Sequence, residues 1–193
     1  MAHLEKKDLF SLEKYSEIRL AFRDKIIQHK KNRRLALYPH AALYFEDTLT
    51  MQYQVQEMLR IEKIFDASGI QEELDVYNPL IPDGTNWKAT FMIEYNDINK
   101  RKSALTKLIG IEKSIWVQID DSDKIYAIAN EDLNRETEDK TSAVHFVRFE
   151  LTRNMCANAK VGLPITFGID HPFFKTEVIV PSEIQSSLIN DLK

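Results

Sequence analysis

The side chains with the clearest chemical potential are acids, arginines and histidines set inside apolar patterns. Glu57, Arg60 and Glu62 fall in the stretch TLTMQYQVQEMLRIEKIFD at 48–66, and His145, Arg148 and Glu150 fall in the apolar run VHFVRFEL. Asn78 lies in the proline-containing loop YNPLIPDGTNW, and His171 stands directly before a proline. Carboxylates with histidine can ligate a hard or borderline metal, or move protons as general acid and base. An arginine beside them can grip an anionic ligand through two parallel hydrogen bonds. The same groups can equally form a buried ion-pair network that only fixes packing. Glu57, Arg60, Glu62, Asn78, His145, Arg148, Glu150 and His171 therefore form the candidate ligand-binding set, with no catalytic role assigned to any of them. Neither HExxH nor ExxH occurs in the chain. Without the spacing that makes a metal signature specific, no metal and no cofactor is expected.

Positioning these groups falls first to residues 48–66. Read as a helix at about 100° per residue, that stretch stacks Met51, Val55, Met58, Ile61 and Phe65 into one stripe. Glu62 falls inside the stripe between Met58 and Val55, Gln54 lies between Ile61 and Phe65, and Glu57 lies between Ile61 and Ile64. An acid aimed at a core must be paired, protonated or liganded. The expectation is a helix over 48–66 lying on a sheet, with Glu62 buried against Arg148 first and His145 second. A guanidinium stays charged when buried and matches a carboxylate in two-point fashion.

The rest of the chain supplies the sheet. A long helix over 8–34, capped by Asp8 or Ser11, buries Tyr15, Ile18, Phe22 and Ile26. Short strands over 34–38 and 42–46 turn at Pro39-His40, with His40 exposed. A second helix covers 71–77, and a strand with alternating apolar residues covers 88–95. Asn96 or Asp97 caps a helix that Gly110 stops. Strands over 115–119 and 124–129 form a hairpin around Asp120-Asp121-Ser122-Asp123, followed by a polar stretch, part helix and part loop, over 130–142. The run 144–151 is apolar on both faces, which predicts a central strand covered on both sides. Strands over 164–170 and 176–180 and a helix over 181–192 complete a single α+β domain, residues 1–193, with a largely antiparallel or mixed sheet.

Composition excludes several classes. The 193 residues carry a net charge of −4, 44% hydrophobic and 29% charged residues, the profile of an ordinary globular protein. The negative charge gives no support to nucleic-acid binding. No apolar run reaches the ~18–20 residues of a membrane span. The N-terminal residues lack the basic-then-apolar layout of a signal peptide, so a cytoplasmic location is expected. A single cysteine, Cys156, excludes an internal disulfide or a CxxC redox pair and is expected to be a small buried hydrophobe. Five glycines include no phosphate-binding fingerprint. No pattern in the sequence specifies an oligomeric state.

The blocks FED at 45–47, YQVQEMLRIEKIF at 53–65, EELDVYNPLIPDG at 72–84, GIE at 110–112 and EDKTSAVHFVRFEL at 138–151 occur in this order. Together they resemble a bacterial family known as a domain of unknown function, family 3501, over nearly the whole chain. The resemblance implies genes placed beside a rubrerythrin and an iron–sulfur oxidoreductase of the heterodisulfide-reductase type, and with them a role in peroxide or redox defence. The chain has neither the cluster-binding cysteines of one neighbour nor the paired ExxH of the other.

Two functions follow as expectations. A non-catalytic accessory protein acting with a redox partner would carry a sizeable exposed apolar or charged patch and no deep polar pocket. A binder of a small anionic molecule, or an enzyme, using the Glu62–His145–Arg148 region would carry a concave pocket reached by those groups.

Overall fold

Ser11 opens the first helix by accepting a hydrogen bond from the Lys14 amide. Helix α1 (Leu12–Lys31) buries Tyr15, Phe22 and Ile26 and ends on His29, Lys30 and Lys31, which complement its dipole. Strands β1 (Arg34–Tyr38) and β2 (Ala41–Phe45) form the hairpin that alternation predicts. Asp47 then caps α2 (Thr48–Glu62), and Asp66 caps α3 (Ala67–Tyr77), which runs into a 3-10 turn at Asn78–Leu80. Strand β3 (Asn86–Ile93) leads to α4 (Ile98–Lys107), capped by Asp97. Strands β4 (Ile115–Ile119), β5 (Ile125–Tyr126), β6 (Ile128–Ala129) and β7 (Val144–Glu150) follow. Helix α5 (Arg153–Lys160), strands β8 (Ile165–His171) and β9 (Phe174–Ile179) and helix α6 (Ser182–Ile189) close the fold. This computed structural model describes residues 3–131 and 139–193.

The strands make two antiparallel sheets, ordered β1-β2-β3-β7-β6 and β5-β4-β8-β9. The segment after β4 changes sheets at Ala127, so β5 pairs with β4 while β6 pairs with β7. Between the sheets, Phe45, Trp87 and Phe149 surround Phe167 with ring centroids 5.2, 6.0 and 5.1 Å from it. Leu108, Met155, Cys156, Ile184 and Leu188 extend this core. Cys156 is the buried free thiol that the sequence predicts. Gly168 is required by close approach: a Cβ there would lie 2.2 Å from the Trp116 ring and 2.7 Å from the Thr176 carbonyl. The result is a single compact α+β domain.

Helices α1–α3 hold separate, smaller apolar clusters, one around Val55, Leu59 and Leu74, another around Tyr15, Phe22 and Ile26. What fastens this layer to the sandwich is polar. Arg33, only 2% exposed, donates to the carbonyls of Phe45 at 3.0 Å and Glu46 at 2.9 Å, to Ser187 Oγ at 3.2 Å and to Asp191 Oδ2 at 2.6 Å. Asp47 Oδ2 lies 3.3 Å from Arg33 Nε and 2.6 Å from His29 Nε2, while its other oxygen caps α2. One guanidinium thus joins the end of α1, the start of α2 and the C-terminal segment.

Several elements depart from the sequence reading. The first helix begins four residues late because Ser11, not Asp8, provides the cap; a 3-10 turn at Lys6–Asp8 precedes it. Helix α2 ends at Glu62, not 66, because Lys63 takes a left-handed conformation with φ 56°. Strand β7 is buried on only one side: His145, Val147 and Phe149 face the core, whereas Phe146, Arg148 and Glu150 are half-buried and Val144 is exposed. His40 is half-buried, its Nδ1 3.0 Å from the Glu94 carbonyl oxygen and its ring stacked on Tyr95 at 4.1 Å. The polar stretch expected over 130–142 lies largely outside the described residues.

The Arg33 cluster has a pH consequence. Burial pushes the Asp191 carboxyl up, the nearby Asp47 charge adds to this, and Arg33 only partly offsets them, leaving it at about 6. A carboxyl raised in the fold contributes stability that is fully present below its ordinary value and is lost as pH rises through about 6. Asp191→Asn cannot ionise, so the stability of the natural protein relative to this variant should fall as pH rises from about 4 to about 7. Urea midpoints measured across that range check it; a difference that is constant or grows would contradict the assignment.

Candidate functional site

The buried face of α2 is set by Met51, Val55 and Leu59, with Met58 half-buried and Ile61 and Phe65 exposed. Relative to the predicted stripe the buried face is turned by roughly 60°. Glu62 still falls within the angle of that face, but it is the last residue of the helix and is exposed there. The expected pairing of Glu62 with Arg148 or His145 is wrong, and so is the single constellation built on it.

The buried polar side chain of α2 is instead Gln56, 0% exposed. Its Oε1 accepts from the Phe10 amide at 2.5 Å and its Nε2 donates to the Phe10 carbonyl at 3.3 Å. Asn78 does the same for Leu4, accepting from its amide at 2.8 Å and donating to its carbonyl at 3.0 Å. Two amides thus strap the N-terminal segment over the helices. A neutral amide satisfies a donor and an acceptor at once, without the desolvation cost of a charge.

The remaining candidates divide among three places. Glu57 and Arg60 join Arg19 and Tyr15 between α1 and α2: Glu57 accepts from Arg19 Nε at 2.8 Å, Arg19 Nη2 at 2.7 Å and the Tyr15 hydroxyl at 2.8 Å. Arg60 lies 3.2 Å from the same carboxylate. Hydrogen bonds from Arg19 outweigh partial burial and hold Glu57 down at about 2. His145 is fully buried on the core face of β7, with Nε2 3.0 Å from Thr141 Oγ1 and 3.0 Å from the Ser142 carbonyl oxygen, and Nδ1 near the Asn130 amide group. His171 is buried with Nε2 3.0 Å from the Ile109 carbonyl oxygen. Arg148 and Glu150 project from the opposite face of β7 and pair with each other.

That second face opens into a cleft of about 750 Å³ between α3 with its 3-10 turn and the uncovered side of β3, β6 and β7. Val76, Tyr77, Pro79 and Leu80 form one wall; Ile128 and Phe146 form the floor. Among the lining residues the cations are Lys88 and Arg148, which sit opposite each other in the β3–β7 register. Lys88 Nζ donates to the carbonyls of Pro79 at 2.7 Å and Ile81 at 2.9 Å, and burial pulls its amine below the usual lysine range. Arg148 holds Glu131 in a fork, Nε to Oε2 at 3.0 Å and Nη2 to Oε1 at 2.9 Å. Glu46, 7% exposed, lies in the lining with Oε1 accepting from the Thr90 hydroxyl at 2.7 Å.

Sequence reasoning placed Arg148 in a site but missed Lys88, Glu46 and Glu131. A lysine inside an otherwise apolar strand pattern was the available signal for Lys88. It also missed Glu112, fully buried, whose carboxylate oxygens accept no hydrogen bond among the described residues and lie beside Lys113 Nζ at 3.8 Å. Among the described residues no three His, Cys, Asp or Glu side chains converge as metal ligands. No helix among them is long and apolar enough to cross a membrane.

The turned helix reverses an expectation about stability. Glu62→Ala should change the unfolding free energy by less than about 0.5 kcal/mol, as for an ordinary surface position. Glu57→Ala strips the hydroxyl of Tyr15 and the Arg19 fork of their acceptor and should cost about 1–3 kcal/mol. Urea titration of both variants separates the readings; a larger loss at Glu62 than at Glu57 would restore the original stripe.

No curated protein matches the chain. A solved structure does: a novel protein of unknown function from Burkholderia pseudomallei K96243, 46% identical, aligned over 98% of this chain and 99% of that one with a TM-score of 0.93. The correspondence extends to sequence family, since residues 3–192 match the one described as protein of unknown function, DUF3501. The chain belongs to the DUF3501 family.

Proposed function

We propose that this protein binds a small organic molecule with an apolar body and an acidic head in the cleft between α3 and the open face of the five-stranded sheet. The observation that carries this reading is the pairing of a concavity of about 750 Å³ with two adjacent cations, Lys88 and Arg148, above an apolar floor. Ligand pockets commonly span ~300–1,000 Å³, with apolar linings and few convergent polar groups. A carboxylate or similar anion would meet the guanidinium edge-on while its apolar part covers Phe146, Leu80 and Val76. No group in the lining is arranged as a nucleophile with its base, so binding rather than catalysis is the function proposed.

A second reading, an accessory protein docking a redox partner in the cytoplasm, draws on a different surface. Ile61 and Phe65 are 60% and 68% exposed, and Phe65 lines a smaller groove of about 350 Å³ with Leu9, Phe10, Ile64 and Ile70. Apolar side chains left in water at a helix end suit a protein contact. In such a complex the redox chemistry would belong to the partner, because burial raises the Cys156 thiol above its ordinary range and keeps it unreactive.

The test of the first reading uses decanoate as the probe. It should raise the melting temperature of the natural protein with concentration, since a ligand of the folded state stabilises by ~2.7 kcal/mol at one hundred times its Kd. Val76 is 63% exposed, so Val76→Trp should fill the cleft without unfolding the chain and remove the decanoate shift. An equal shift in both proteins would place binding elsewhere.

A further inference from the structure

Arg148 already holds a carboxylate in the geometry a ligand would adopt. Glu131 reaches it from outside the strand pair and engages Nε and Nη2 in parallel, at 3.0 and 2.9 Å. Yet the Glu131 side chain is 55% exposed, whereas that of Arg148 is 25% exposed. Such a pair loses much of its Coulomb gain to water and contributes about 0–1 kcal/mol. The fork is filled, but weakly.

Charge decides how a ligand can enter. The cleft lining carries Lys88 and Arg148 against Glu46, Asp75 and Glu131, so an added anion would meet an excess of carboxylates. Glu150 also pairs with Arg148 from the strand itself. An anion that replaces Glu131 leaves the charge count unchanged and keeps the guanidinium satisfied. Glu131 can leave at small cost, because its carboxylate returns to water. Glu150 is tied to β7 and also accepts from Thr85 and Asn86, so it remains in place.

We infer that Glu131 is an internal stand-in for the ligand's head group, and that an apolar carboxylate occupies the cleft by displacing it from the Arg148 fork. This deepens, and rests on, the proposal that the cleft is a ligand site. It assigns the ligand class as monocarboxylates with an apolar chain or ring, since Lys88 is engaged by the Pro79 and Ile81 carbonyls and supports a single acidic head. Affinity is set by competition with a carboxylate that the protein carries.

Calorimetric titration with decanoate and with the neutral analogue decanol tests the exchange in the full chain. Glu131→Gln removes the competing charge while keeping the size of the side chain. It should tighten decanoate about fivefold, the factor matching release from a surface ion pair of about 1 kcal/mol, and leave decanol unchanged. Arg148→Gln should weaken decanoate at least tenfold and spare decanol. Circular dichroism melts of each variant report whether it is folded, and Glu131→Gln, at an exposed position, provides the decisive arm if Arg148→Gln is not. Decanoate affinity unchanged or reduced in Glu131→Gln, with decanol still bound, overturns the exchange and leaves the cleft reading standing. Binding of neither probe to the natural protein overturns both.

Discussion

Arg33 is the interaction on which the rest of the arrangement depends. It is a buried cation with all three guanidinium nitrogens bonded: to backbone carbonyls at the end of β2 and to Ser187 and Asp191 from the C-terminal segment, with Asp47 at the start of α2 as a further ion-pair partner. The helical layer has its own small apolar clusters and shares little apolar surface with the sandwich. Its placement therefore rests on a few polar contacts: this cluster, the Lys88 bonds to the turn after α3, and the Thr90–Glu46 bond. Removing one partner of such a buried cluster typically costs ~3–5 kcal/mol, because the charges left behind are unpaired. The cleft exists because helices held at these points stand off from the sheet instead of packing flat on it.

That geometry explains why β7 has two unlike faces. Its core side, with His145, Val147 and Phe149, meets the second sheet; its other side carries Phe146 and Arg148 into the cleft. Side chains alternate along a strand, so the residues at 145 and 148 can never serve one site. Each histidine of the candidate set is buried among backbone and hydroxyl partners, the ordinary fate of a core histidine.

Much of the fold was legible in the sequence. Strand patterns located β1, β2, β3, β4 and β8 to within a few residues, and Asp97 marks a helix start that local capping chemistry dictates; the cap at Asp66 was hidden because residue 66 read as the end of the preceding helix. What was not legible was rotation. Helix α2 carries apolar residues on most of its circumference, so Met58, Ile61 and Phe65 compete with Leu59 for the buried stripe. The choice is tied to the Gln56 clamp to Phe10, a tertiary contact rather than local pattern. The candidate set does not converge on one place for a related reason. Polar residues interrupting apolar runs were read as converging, although the interruptions at Glu57, Asn78 and Arg148 serve a helix pair, a strap and a cleft respectively.

If the cleft is the ligand site, a small molecule binds on the concave face between α3 and the sheet and not in the groove beside Phe65. Both surfaces carry methyl groups, so a methyl-detected NMR titration with decanoate reads each separately in one experiment. The account predicts shifts concentrated at Val76, Leu80 and Ile128, with Leu9, Ile64 and Ile70 unmoved. Shifts confined to Leu9, Ile64 and Ile70 would contradict it.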